Sequence, residues 1–213
     1  MKPIIAIDGP AGSGKGTIAK KLAGYFNFAH LDTGILYRAI AYLNAELNEI
    51  KELSISEILK IAQGASLQVL KSEDISSKAS KIAKSAEIRE IMTRLQRDFI
   101  ASPGDHYGGS VLDGRDIGTV VAPNAICKIF VTASLEVRAA RRFRALERSN
   151  SLETYEEIME SLAARDKQDQ LREISPLTLN DSYVVLDTSQ ETVKESFFRA
   201  VEIVKHSLEY VVP

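Results

Sequence analysis

The chain has 213 residues, with 27 Lys and Arg against 29 Asp and Glu, so its formal net charge is −2. An apolar content of 45% and a charged content of 26% are typical of a globular protein and argue against disorder. The near-neutral charge disfavours a nucleic-acid partner, which usually needs a basic surface. Cys127 is the only cysteine, which excludes an internal disulfide and a cysteine-based zinc site.

The sequence contains no recognisable targeting or membrane segment. Its first apolar run is too short for a secretory signal, and no stretch approaches the roughly 20 apolar residues of a membrane span. We therefore expect a cytoplasmic protein without a membrane partner. Cys127 lies in the apolar run ICKIFV, which predicts an inert core thiol.

Five short apolar runs predict buried strands, because most of them are continuous rather than alternating. They cover residues 3–8, 26–31, 110–113, 125–132 and 183–187. Helical patterns at 15–25 and 34–47 separate the first runs. Two further helices are predicted by apolar stripes at helical spacing, which are Ile88, Met92, Leu95 and Phe99, and then Leu135, Ala139, Phe143 and Leu146. Strands that alternate with helices predict a parallel α/β sheet.

Acidic residues stand at the ends of several predicted strands, as at Asp8 and Asp113. Ligands of such sheets bind beyond the carboxyl ends of the strands, although acids are also common in turns. Two long stretches, 48–86 and 148–176, do not fit the sheet, and we expect them to be insertions over the binding face rather than separate domains. Within the first, only residues 66–70 (SLQVL) resemble a strand. A closing amphipathic helix is predicted over 191–210.

The segment GPAGSGKGT follows a predicted strand and precedes a predicted helix, which is the context of a phosphate-binding loop. Glycines let backbone N–H groups approach phosphate oxygens, and a helix N-terminus favours negative charge. Lys15 is expected to reach the β- and γ-phosphates and Thr17 to offer its hydroxyl to Mg²⁺. The usual pattern has Ser or Thr directly after the lysine, whereas Gly16 intervenes here. The predicted ATP-binding residues are Gly9, Pro10, Ala11, Gly12, Ser13, Gly14, Lys15, Gly16 and Thr17.

Arginines are concentrated on one predicted helix. They are Arg138, Arg141, Arg142, Arg144 and Arg148. A solvated basic face is the plainer interpretation of any one of them, but five in a chain of net charge −2 favour an anionic-ligand site. Arginines that reach a transferring phosphoryl group can contribute roughly 10³–10⁵ in rate.

A second charged cluster consists of Arg165, Asp169 and Arg172, whose spacings of four and three predict that one helix presents all three. The alternative is a surface ion-pair ladder, which contributes little. Asp113 at a strand end suits Mg²⁺ or its water shell, and Arg115 suits a phosphate.

Taken together, these motifs resemble a known family. GPAGSGKGT, with glycine after the lysine, resembles the nucleoside monophosphate kinases. LDTGILYR, LDGRDIGTVVAP, the RxxRR helix and RDKQDQLREISPL together resemble bacterial-type cytidylate kinases, over residues 4 to about 188. The resemblance implies an α/β P-loop NTPase fold, with a five-stranded parallel sheet flanked by helices. It also implies one domain, with a core of about 1–47, 87–147 and 177–213, a short monophosphate-binding insert at 48–86 and a helical lid at 138–176.

The implied reaction transfers the γ-phosphoryl group of ATP to CMP or dCMP, with Mg²⁺ as cofactor and the protein as a monomer. The resemblance places four residues on the CMP phosphate: Thr33, Arg38, Arg115 and Arg172. It places Arg165 and Asp169 on the sugar hydroxyls, and Ser80, Arg89 and Asp116 on the cytosine. Catalysis would fall to Lys15 with the lid residues Arg138, Arg141 and Arg142, and Mg²⁺ to Thr17 and Asp113, directly or through water.

The chemistry of cytosine agrees with these roles. A carboxylate such as Asp116 accepts from the cytosine amino group and Arg89 donates to an acceptor edge, whereas uracil would mismatch both contacts. Ser80 and Arg89 are nine residues apart, about 900° of helical rotation, which places them on opposite sides of an unbroken helix. If both contact one base, the helix must break near Ser85–Ala86. The insert is also shorter than in most relatives, and Thr33 replaces the more usual serine.

Three alternatives stay open. The first is another small P-loop kinase, acting on UMP, AMP or a non-nucleotide alcohol. The second is a nucleotide-dependent switch protein, although no NKxD segment is present. The third is a catalytically silent P-loop protein, which we would expect to lack the loop lysine or the lid arginines. The three histidines form no cluster in the sequence and predict no metal site.

Overall fold

The structure is a computed structural model, and it describes residues 2–147 and 153–209. Its strands are β1 (Ile4–Asp8), β2 (Ala29–Asp32), β3 (Ser110–Gly114), β4 (Cys127–Thr132) and β5 (Val184–Asp187). Its helices are α1 (Lys15–Phe26), α2 (Thr33–Leu43), α3 (Leu47–Glu52), α4 (Ile55–Gly64), α5 (Leu67–Leu70), α6 (Glu73–Ile82), α7 (Ala86–Ala101), α8 (Leu135–Glu147), α9 (Tyr155–Leu171) and α10 (Val193–Glu209). One turn of π-helix, Ile117–Val121, follows β3.

The strands form a single parallel sheet in the order β2-β3-β1-β4-β5. Ile5 at the centre pairs with Val111 of β3 and with Cys127 of β4. Every residue of β1 and of β3 is buried, which explains why these strands appear in the sequence as continuous apolar runs. The predicted parallel α/β sheet is confirmed.

The chain divides into two compact units. The first comprises Met1–His30 and Tyr107–Pro213, and its core joins buried side chains of β1, α1, β4 and α10, such as Ile7, Leu22 and Val204. Cys127 belongs to this core at 2% exposure, and burial raises the pKa of its thiol. The thiol therefore has the environment that its apolar sequence context predicts.

The second unit, Leu31–His106, is largely helical. Three of its helices, α4, α6 and α7, begin at serine caps: Ser54 Oγ accepts from Glu57 N, Ser72 Oγ from Ile75 N and Ser85 Oγ from Ile88 N. The buried side chains Ile50, Ile58, Leu70 and Met92 form its interior.

The structure corrects three sequence-based expectations. Residues 66–70 are not a strand: Leu67–Leu70 is a helical turn, Ser66 Oγ accepts from Val69 N at 3.2 Å, and Leu70 is fully buried. The second strand begins at Ala29 rather than at residue 26, because α1 continues to Phe26 and ends at Asn27 in the left-handed conformation. The helix predicted over 34–47 ends at Leu43, where Asn44 has a φ of 52°.

The predicted helix break is confirmed, since α6 ends at Ile82 and α7 begins at Ala86 behind its cap Ser85. The C-terminal helix is also confirmed, as Val193–Glu209. Arg148 and Tyr210, which two of the predictions include, lie outside the described residues. Across the part of the chain that the structure describes, no helix combines the length and the apolar character that a membrane span requires.

Candidate active site

The phosphate loop runs from the end of β1 to the start of α1. Gly14 caps α1 with a φ of 92°, and Gly9 has no room for a side chain because a Cβ there would stand 2.0 Å from the carbonyl oxygen of Val131. Thr17 N and Ile18 N both donate to Gly14 O at 3.1 Å, so the first turn of α1 begins directly at the loop, and the N-terminus of a helix favours a bound anion. Lys15 Nζ donates to the carbonyl oxygen of Pro10 at 3.0 Å, which keeps the ammonium against the loop.

Two side chains from elsewhere in the first unit hold this loop. Arg138 is 5% exposed and donates from Nη1 to Ala11 O at 3.1 Å, from Nε to Ala133 O at 2.9 Å and from Nη2 to Asp166 at 2.6 Å. Thr188, directly after β5, donates to Ser13 O at 3.1 Å. The side chain of Arg138 thus bonds to a backbone carbonyl of the loop. A sequence pattern of arginines does not reveal this role.

Arg141 lies one turn further along α8. Its guanidinium donates to Thr188 Oγ1 at 2.9 Å and to Thr188 O at 2.6 Å, and burial lowers its pKa. A Cβ on Gly14 would stand 3.9 Å from its Nη1, so the cation lies beside the start of α1. Arg142 is half-buried and Arg144 is exposed. Arg141 therefore combines partial burial with a position next to the phosphate loop.

Asp113, in β3, lies next to the same loop and fits a role with a divalent cation. Its carboxylate is buried, its Oδ1 accepts from His30 Nε2 at 2.8 Å, and its Oδ2 would stand 3.3 Å from a Cβ on Gly16. Glycine at position 16 therefore leaves the space that this carboxylate occupies. Thr17 is exposed in the first turn of α1. A carboxylate and a hydroxyl are the hard oxygen donors that Mg²⁺ accepts when phosphates and water complete its coordination.

Among the described residues, no cluster of three or more His, Cys, Asp or Glu side chains could hold a metal on its own.

Arg115 follows β3 and is held by an acid from α9. Its Nε donates to Asp169 Oδ2 at 2.7 Å, and Asp169 Oδ1 lies 3.8 Å from Arg172 Nη1. Burial alone would raise the pKa of Asp169, but the positive charges of Arg115 and of the neighbouring arginines hold it below its usual value. Arg165 and Asp169 share α9 as predicted, whereas Arg172 is the first residue beyond the helix and has an extended backbone.

Asp116 is buried at the start of the π-helical turn, where its carbonyl oxygen accepts from Val120 N at 2.9 Å and Val121 N at 3.2 Å. The next two backbone N–H groups donate to Asp8, at 2.9 Å from Ile117 and 2.8 Å from Gly118. The hydroxyl of Tyr183 donates to the same carboxylate at 2.7 Å. The sequence marked Asp8 only as a strand-end acid, and nothing in its local pattern indicated this network.

In the second unit, Asp32 organises the start of α2. Its Oδ1 accepts from Ile35 N at 3.2 Å, and its Oδ2 accepts from Arg38 Nη2 at 2.8 Å. Gly34 allows this approach, because a Cβ there would stand 2.7 Å from Arg38 Nη1. Thr33, the first residue of α2, is buried. Thr33 and Arg38 therefore belong to one preformed helix start.

Ser80 and Arg89 lie on the two helices that meet at the break described above. Ser80 is half-buried on α6. Arg89 is 4% exposed on α7 and donates from Nη1 to the carbonyl oxygen of Ala83, the C-cap of α6, at 3.2 Å. The buried guanidinium thus spans the break, and its contact with the end of the helix that carries Ser80 is possible only because that helix ends.

The fold and the loop define a class of protein, the P-loop NTPases. Solved structures with the same fold include TT1252 from Thermus thermophilus, with a TM-score of 0.55 at 21% identity over 97% of this chain and 98% of that one. Another is shikimate kinase from Bacteroides thetaiotaomicron, with a TM-score of 0.52 at 13% identity over 96% of this chain and 99% of that one. Similarity at this level of identity speaks for the fold alone.

Sequence relatives identify the family. The cytidylate kinase family model matches residues 5–206. A cytidylate kinase of Azorhizobium caulinodans is 42% identical over 207 residues, covering 96% of this chain and 98% of that protein. A cytidylate kinase of Methylocella silvestris is 44% identical over 209 residues, covering 95% and 94%. The chain belongs to the cytidylate kinase family, which confirms the resemblance and the predicted phosphotransferase class.

Proposed function

We propose that this protein transfers the γ-phosphoryl group of ATP to CMP or dCMP, with CDP or dCDP as products. Family membership over residues 5–206 supports the reaction. The single structural observation that carries it is the approach of Asp113 to Gly16 of the phosphate loop, because it pairs a phosphate-binding element with an acid suited to Mg²⁺.

The donor side of the reaction falls to the phosphate loop and its neighbours. Residues 9–17 bind the ATP phosphates through backbone N–H groups, and Lys15 exchanges its contact with Pro10 O for the β- and γ-phosphates. Arg141 and Arg142 neutralise charge on the transferring group, and Arg138 supports them while it holds the loop at Ala11. Mg²⁺, when bound, neutralises phosphate charge near Thr17 and Asp113.

The roles on the acceptor side are those that the family resemblance implies. Thr33, Arg38, Arg115 and Arg172 address the CMP phosphate, and Arg165 and Asp169 address the sugar hydroxyls. The ion pair between Arg115 and Asp169 holds the Arg115 guanidinium in place before substrate arrives, which lowers the ordering cost of binding.

Base selection falls to Ser80, Arg89 and Asp116. Asp116 accepts from the cytosine amino group, and Arg89 donates to an acceptor edge of the ring. Because Arg89 and Asp116 are both buried, a uracil that mismatched them would leave desolvated polar groups, which is a strong source of discrimination.

The domain organisation, location and oligomeric state of the chain also belong to what we propose. The family match over residues 5–206 supports a single kinase domain, and the monophosphate-binding insert at about 48–86 and the lid at about 138–176 stay predictions. We also keep the cytoplasmic location, the monomeric state and the absence of nucleic-acid and membrane partners as predictions.

The test is a coupled assay of nucleoside diphosphate formation with ATP and Mg²⁺, offering CMP, dCMP, UMP, AMP and GMP at equal concentration. We expect rapid turnover of CMP and dCMP and slow turnover of the other three. Equal turnover of UMP would keep the kinase but contradict the base-selecting roles of Ser80, Arg89 and Asp116. No turnover of any acceptor would contradict the proposed function.

A further inference from the structure

The buried acid Asp8 has no part in the reaction proposed above, yet it is among the most extensively bonded side chains of the first unit. It is fully buried at the end of β1 and accepts three hydrogen bonds, from the N–H groups of Ile117 and Gly118 and from the hydroxyl of Tyr183. Tyr183 is itself 7% exposed and packs edge-on against Phe130, with ring centroids 5.9 Å apart. Both partners of the tyrosine–aspartate contact are therefore held by their surroundings.

One of these bonds holds the peptide group between Asp116 and Ile117. The N–H of Ile117 belongs to the peptide that follows Asp116, and it donates to Asp8 Oδ1 at 2.9 Å. The carbonyl of the same peptide is that of Asp116, and it accepts from Val120 N and Val121 N. The peptide plane is thus fixed on both sides, which fixes the direction in which the Asp116 side chain leaves the backbone.

The conformation that results is an uncommon one. Asp116 has a φ of −144° and a ψ of 24°, and the residues after it form a π-helical turn, a structure that is rare and often found at functional sites. Gly118 has no space for a side chain, since a Cβ would stand 2.7 Å from the hydroxyl oxygen of Tyr183. Gly118 and Tyr183 therefore pack closely against each other, and both donate to the carboxylate of Asp8.

We infer that Asp8 and Tyr183 are positioning residues that set the orientation of Asp116 and thereby the preference for cytosine over uracil. This inference rests on the proposed function, because it gives Asp116 its base-selecting role. The physical reason is geometric, because discrimination by a hydrogen-bonding group depends on its placement to within a fraction of an ångström. Loss of a hydrogen bond that holds Asp116 in place therefore weakens discrimination even though that bond does not contact the base.

The decisive variant is Tyr183→Phe, which removes one hydroxyl and keeps the ring. We expect the ratio of kcat/KM for CMP to that for UMP to fall about tenfold, mainly through a higher KM for CMP, with an unchanged KM for ATP. Calorimetric titration with CMP alone should show the same loss of affinity. Tyr25→Phe, at a half-exposed ring on α1, is the matched control and should change neither quantity.

Asp8→Asn is the second variant, with Asp181→Asn at an exposed position as its control. The asparagine side chain has one acceptor oxygen where aspartate has two, so it cannot offer a separate oxygen to each of the N–H groups of Ile117 and Gly118. We therefore expect a larger fall in the CMP to UMP ratio than for Tyr183→Phe. A CMP to UMP ratio that stays at the wild-type value in both variants, whatever their stability, would overturn the inference. Failure of the wild-type protein to prefer CMP would instead contradict the proposed function.

Discussion

Gly16 shows how a single missing methyl group shapes this site. Its ideal Cβ would stand 3.3 Å from Asp113 Oδ2, closer than most real contacts allow. The sequence showed Gly16 as a departure from the usual phosphate-loop pattern but could not show what the departure accommodates, because Asp113 lies in β3, far from Gly16 along the chain. The same limitation applies to Arg138, whose bonds to Ala11 O and Ala133 O involve backbone atoms that no side-chain pattern reveals.

We predict that Gly16→Ala displaces the Asp113 carboxylate and raises the Mg²⁺ concentration for half-maximal activity about tenfold. The readouts are Mg²⁺ titrations of activity and calorimetric binding of ADP with and without Mg²⁺. Gly24→Ala is a matched control on the same helix, since nothing lies within 4 Å of its added Cβ. Equal Mg²⁺ dependence in the two variants would show that Gly16 does not make room for a metal-linked acid.

At the scale of elements, the sequence predicted what depends on continuous apolar burial or on helical periodicity. The central strands β1 and β3 and the stripes of α7 and α8 were found at or near their predicted positions, because each pattern spans the whole element. Residues 66–70 were mispredicted because a five-residue segment with three apolar residues fits a strand or a helical turn equally well. Ser66, which caps that turn, was the signal that could have decided between them.

The break between α6 and α7 depends on Ser85, whose Oγ accepts from Ile88 N at 3.4 Å. We predict that Ser85→Ala lowers the free energy of unfolding by about 1 kcal/mol, the usual value of a lost N-cap, as measured by urea denaturation. Ser102→Ala, at the other end of α7, is the control, because the bond that Ser102 makes to Asp98 O comes from its backbone N–H, which alanine keeps. Identical urea midpoints for both variants would mean that Ser85 does not hold the break.

At the scale of the whole molecule, the pH dependence of stability should carry a component from Asp8. Burial raises the pKa of this carboxyl to about 6 even though its hydrogen bonds favour the charged form. An acid with a raised pKa in the folded state keeps its proton when the unfolded chain has already released it. Its contribution to stability is therefore fully present below about pH 4 and is lost as the pH rises through about 6.

The measurement is the free energy of unfolding of wild type and Asp8→Asn between pH 4 and pH 7. We predict that the difference between the two proteins shifts by about 2 kcal/mol in favour of the variant as the pH rises over this interval, since each unit of pKa shift corresponds to about 1.4 kcal/mol. The pKa of Asp169 is lowered, so its contribution to the free energy of unfolding is lost only as the pH falls below the usual pKa range of an aspartate. It therefore does not mask the contribution of Asp8. A difference that is flat over this interval would contradict the prediction.

The lone thiol of Cys127 has a consequence of a different kind. It lies at the start of β4, 2% exposed, among side chains of the sheet and of α10. A thiol reagent in solution can reach it only when this core opens, so the rate of its modification reports the population of opened molecules in the unaltered protein. Because a nucleotide that binds only the closed state reduces that population in proportion to its occupancy, the same residue works as a built-in reporter of ligand affinity, with no dye, coupling enzyme or engineered label.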